Sequence, residues 1–104
     1  MLKNSKPYEE SLLASLRDPA EASAYLEAAL KDGDPKLFLL ALKNVASAAG
    51  GISGLAKKSK LNRETLYRTL SKKGNPELTT LHAILESLGL QISITPKKKS
   101  RKAA

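Results

Sequence analysis

Arg63, Tyr67 and Arg68 stand at helical spacing in one short run, with Asn62, Glu64 and Thr65 beside them. Side chains of this kind read base edges, and a guanidinium pairs especially well with guanine O6 and N7 in a major groove. Lys57, Lys58, Lys72 and Lys73 flank the run and suit phosphate oxygens, contacts that fix register without reading sequence. Other chemistry is poorly provided for. With no cysteine and one histidine, His82, the chain has no thiolate chemistry, disulfide or Cys/His metal set. It contains no glycine-rich phosphate loop, metal-ligand cluster or nucleophile elbow. His82 lies beside a leucine stripe with no motif partner, and Glu9-Glu10 suit a helix N-terminus better than a catalytic carboxylate pair. The sequence is expected to be non-enzymatic and to need no cofactor or metal.

The element that must position these residues is a helix-turn-helix over residues 52–71. A short helix near Ile52–Ser59, a turn through Lys60-Leu61-Asn62 and a helix from Arg63 to about Lys72 are expected. Ala56 is small enough to let two crossing helices approach. Leu55 and Leu61 fill the angle from one side, Leu66 and Leu70 from the other. Asn62 occupies the N-cap position. With Leu66 and Leu70 inward, Arg63, Glu64, Tyr67 and Arg68 face outward, and the positive end of the helix favours a polyanion.

Helix punctuation organises the rest. Asp18-Pro19 and Asp34-Pro35 each pair an N-cap with proline at the first helical position. They open helices that end at Asp32-Gly33 and near Gly50-Gly51, and a shorter helix is expected over Tyr8–Arg17. Gly74-Asn75-Pro76 breaks the chain before the stripe Leu78, Leu81, Leu85 and Leu88, which Gly89 closes at C′. Gln91–Thr95 alternates polar and apolar and predicts one short strand. Aromatics make up only 4%, so leucine, alanine, isoleucine and valine must build the core, which favours packed helices. The expected fold is all-α, about five helices with one short C-terminal strand.

Charge divides the chain. Residues 1–50 carry six Lys/Arg against seven Asp/Glu, whereas residues 51–104 carry twelve against three. This asymmetry points to a polyanion for the second half and a different partner for the first. Leu12, Leu13 and Leu16, together with Leu37 and Leu40, exceed what a small DNA-binding core needs and are candidate partner-binding residues; Glu9, Glu10, Asp18, Glu21 and Glu27 would steer a basic partner. Three regions follow: a partner-binding segment at 1–18, a helical DNA-binding domain at 19–95 and a basic tail at 96–104. The tail has three open readings: a solubilising extension, a non-specific DNA arm or a protease-sensitive signal. No apolar run approaches the ~20 residues that span a bilayer, and the first residues lack a signal-peptide core, so the expected location is cytoplasmic, without a membrane partner.

Residues 52–90 resemble the phage-repressor (lambda-repressor-like, Cro-type) helix-turn-helix domain, including Gly-Asn-Pro-Glu-Leu-Thr-Thr-Leu before the next helix and Ala-Ile-Leu-Glu-Ser-Leu-Gly-Leu at the end. Upstream, the stretches Tyr25–Pro35 and Phe38–Ala46 resemble the addiction module antidote proteins, antitoxins of type II toxin–antitoxin modules similar to HigA. The resemblance covers roughly residues 7–95. It implies an antitoxin that neutralises a RelE/ParE-like toxin and represses its own operon. The chain departs from the motif at Lys60, where glycine is usual and the backbone is often left-handed. Lysine there costs about 1 kcal/mol.

Two-fold symmetry is expected, because one short helix reads few base pairs and a homodimer on an inverted repeat of double-stranded DNA doubles the site. The Ile92/Ile94 segment and the last helix are candidate dimer surfaces. The alternatives are a stand-alone phage-type repressor, whose first half braces the fold or dimerises, and an interaction module that does not touch DNA.

Overall fold

The computed structural model describes residues 6–71 and 73–97; Lys72 and the tail beyond Lys97 lie outside the described residues. Six helices follow in order: α1 (Lys6–Leu16), α2 (Pro19–Asp32), α3 (Pro35–Ala48), α4 (Gly51–Ser59), α5 (Arg63–Thr69) and α6 (Leu78–Ser87). Local chemistry starts and stops them. Asp18 and Asp34 accept hydrogen bonds from the amides of Ala20 (3.0 Å) and Lys36 (2.9 Å), in front of a proline in each case. Gly33 ends α2 in the left-handed region at φ 85°. Gly89, at φ 81°, closes α6 in a Schellman arrangement: its N–H reaches Glu86 O, and the Leu90 N–H reaches Leu85 O at 2.8 Å.

α3 is the hub and packs on α1, α2 and α4. It buries Leu39, Ala41, Leu42, Val45, Ala46 and Ala48. The Tyr25 hydroxyl accepts a hydrogen bond from Asn44 Nδ2 (2.9 Å), tying α2 to α3. After α3, Gly50 and Gly51 take φ of 111° and 76°, and α4 leaves at 91° to α3. That corner carries the chain across to α6, on which α4 packs. Leu42, Leu66 and Ile84 are fully buried and join α3, α5 and α6 in one core.

Three sequence expectations need correction. The fold has six helices, and no strand forms among the described residues. Among the described residues Gln91–Thr95 has no neighbouring strand to complete a hydrogen-bonded ladder, and Ile94 is 92% exposed. In α6, Ile84 rather than Leu78 is a core residue. Leu78 sits on the first turn and is 68% exposed, while Leu81 and Leu88 are half-buried against the core.

The third correction concerns α1. Leu16 is only 4% exposed and belongs to the core, and Leu12 and Leu13 pack against it half-buried. α1 therefore contributes to the same core as the rest of the fold, and Leu16 is unavailable for docking. Leu16→Ala should destabilise the protein by about 2–5 kcal/mol in urea or thermal denaturation. Leu40→Ala, at a position 54% exposed, should change stability by no more than about 0.5 kcal/mol. Equal effects of the two would detach α1 from the core.

Candidate nucleic-acid interface

α4 and α5 pack against each other across a three-residue turn. α5 has seven residues, too few to be stable as an isolated helix, so its neighbours must hold it. Leu66, Thr69 and Leu70 are buried and anchor it. Thr69 was not evident as an anchor from sequence, although its position three residues after Leu66 carries the signal. From α4, buried Leu55 and half-buried Ala56 meet this surface, with half-buried Leu61 in the turn.

The turn is closed by hydrogen bonds. The Lys60 N–H reaches Ala56 O (3.1 Å), and the Leu61 N–H reaches Ser59 Oγ (3.2 Å). Asn62 Oδ1 accepts from the Thr65 amide at 2.7 Å, the expected N-cap. Lys60 adopts φ 64° and ψ 16° and is the one non-glycine residue at positive φ among the described residues. The usual glycine conformation is thus kept with a lysine in it, at a cost in backbone strain. Beyond α5, Gly74 lies so close to the helix end that a Cβ there would collide with the Thr69 carbonyl oxygen. This contact explains the glycine in Gly-Asn-Pro without invoking a positive φ.

With its inner face committed, α5 turns Arg63, Glu64, Tyr67 and Arg68 to solvent. Tyr67 is 63% exposed, a large aromatic with no partner in the core. Asn62 is exposed beside them, while Thr65 is half-buried. Lys57 and Lys58 are exposed on the last turn of α4, where they also complement the helix C-terminus, and Lys73 is exposed after α5. The fold thus places most of the sequence-selected polar residues on one helix pair. Of the selected leucines, Leu37 and Leu40 are exposed on α3, apart from this pair.

The strain at Lys60 has a measurable consequence. Lys60→Gly should raise stability by about 0.5–1 kcal/mol, after allowance for glycine's larger unfolded-state entropy. Lys60→Val should lower it by about 1 kcal/mol or more, since a β-branched residue tolerates the left-handed region poorly. Denaturation curves showing no difference between the two variants would mean the turn relaxes out of this conformation.

Comparison with known proteins extends beyond the helix pair. Residues 9–96 match the family described as "Probable addiction module antidote protein". A protein of Haemophilus influenzae described as uncharacterized is 33% identical over 79 residues, which cover 76% of this chain and 80% of the relative. No solved structure matches the chain. The family match runs from within α1 through α6 and the extended segment after it, so it includes the core-forming first half as well as the helix pair. The chain belongs to the addiction module antidote family.

Proposed function

We propose that this protein is a HigA-like type II antitoxin that binds the operator of its own operon through α5 and neutralises a RelE/ParE-like toxin. The antidote family carries the antitoxin half of this reading. The observation that carries the DNA half is the outward face of α5: Arg63, Tyr67 and Arg68 project from a helix held by Leu66 and capped by Asn62. α5 acts as the recognition helix of a lambda-repressor-like (Cro-type) domain. Arg63 and Tyr67 reach base edges, with Glu64, Thr65 and Arg68 nearby, while Lys57, Lys58 and Lys73 hold phosphates. Two copies related by a two-fold axis bind an inverted repeat. The protein works in the cytoplasm by binding and catalyses no reaction.

The toxin falls to the near-neutral first half of the chain, away from the basic helix pair. The exposure of Leu37 and Leu40 on α3 supports an apolar contribution there.

Arg63→Ala and Tyr67→Ala should each cost about 1–3 kcal/mol in binding the operator, with little effect on random duplex. Lys58→Ala should weaken both duplexes alike and lower the salt slope by about one unit. Fluorescence anisotropy on operator and scrambled DNA at several salt concentrations measures both quantities. Uniform losses for all three variants on both duplexes would remove α5 from base reading.

A further inference from the structure

A groove of about 1170 Å³ runs between α2, the start of α3, α6 and the segment that follows α6. Leu26, Leu30, Phe38, Leu39, Leu81 and Ile92 make it apolar. Leu30 is 59% exposed there, and Ile92 also reaches solvent, so the surface lacks a cover within this chain's described residues. Three carboxylates, Glu27, Asp34 and Glu86, line the same groove. Asp34 is partly committed as the cap of α3, whereas Glu27 and Glu86 are exposed. Among the described residues no lysine or arginine lines it, in a chain that has 18 of them and a net charge of +8. No lining residue comes from α4 or α5.

This combination selects its occupant. An apolar floor offers nothing to nucleic acid, and the carboxylates repel phosphates. In a two-fold contact of groove on groove, the carboxylates would find no lysine or arginine among the lining residues opposite, which disfavours a second copy placed that way. What fits is a polypeptide with an apolar anchor flanked by lysine or arginine. We propose that this groove is the toxin-holding surface of the chain, taking a basic segment of the toxin with an apolar side chain at its centre. The proposal rests on the antitoxin reading and deepens it, by adding a contact on α2, the start of α3 and α6 to the exposed Leu37 and Leu40, which do not line the groove. Operator and toxin then occupy different residues of the chain.

The test uses the full chain and the purified product of the gene adjoining its own, with affinity measured by calorimetry. Leu30→Asp and the double variant Glu27→Lys/Glu86→Lys alter exposed positions and should leave the thermal melt unchanged. Each should weaken binding about tenfold or more, and the double variant should also flatten its salt dependence. Should Leu30→Asp lower the melting temperature, the double variant alone decides. Wild-type affinity in the folded groove variants overturns the groove while the antitoxin reading stands. Failure of the wild-type chain to bind that product overturns both. Groove variants that lose self-association and keep their toxin affinity assign the groove to a second copy and overturn the proposal.

Discussion

The burial of Leu66 is the constraint on which the candidate interface depends. α5 is seven residues long and has no independent stability to set its direction. Removing a leucine side chain from water is worth about 1.5–3 kcal/mol, and Leu66 is fully buried. That exceeds the roughly 1 kcal/mol by which Lys60 strains the turn in front of it. The strained turn persists because it lets Leu66 reach a core already occupied by Leu42 and Ile84. Once Leu66 points inward, the 3.6-residue period leaves Glu64, Tyr67 and Arg68 outside, and Arg63 reaches solvent as the first residue of the helix. The outward face is a consequence of the inward one.

The same core binds the two halves of the chain. Leu16 in α1, Leu42 in α3 and Ile84 in α6 belong to one cluster, so a boundary near residue 18 does not divide the packing. Charge suggests two parts, one near neutral and one basic, yet charge is a surface property and says little about where a core stops. A toxin held on α2, α3 and α6 would rest on helices that share this core with α4 and α5. Binding sites of opposite electrostatic character can thus sit on one small fold without a linker between them.

What could be read from the sequence was local. The caps at Asp18, Asp34 and Asn62, the left-handed closures at Gly33 and Gly89, and the left-handed Lys60 all rest on one residue and its immediate neighbours. The choice of buried face in α5 was equally legible, because Leu66 is its one aliphatic residue and Leu70 follows at its C-cap. The rest depends on long-range packing. α1 and α6 have several leucines that satisfy helical spacing, and only the positions of neighbouring helices decide that Leu16 and Ile84 go in while Leu78 stays out. The alternation in Gln91–Thr95 satisfies a strand pattern, but a strand also needs a partner edge, which no local pattern can supply. The acidic groove was illegible for the same reason: Glu27, Asp34 and Glu86 meet there from three separate elements.

Glu64 brings these points together, because it sits among the arginines of the outward face where a purely electrostatic DNA binder would gain from a neutral or basic residue. In the first turn of α5 its charge favours the helix N-terminus, which a seven-residue helix needs more than a long one. On DNA it would oppose phosphates and accept only from a donor such as cytosine N4. Its cost therefore falls on every non-specific site, while the specific site can offset it with that hydrogen bond. If a chain of net charge +8 binds duplexes through its lysines, specificity is a difference of affinities, and a residue that penalises the wrong sites raises it without adding a contact elsewhere.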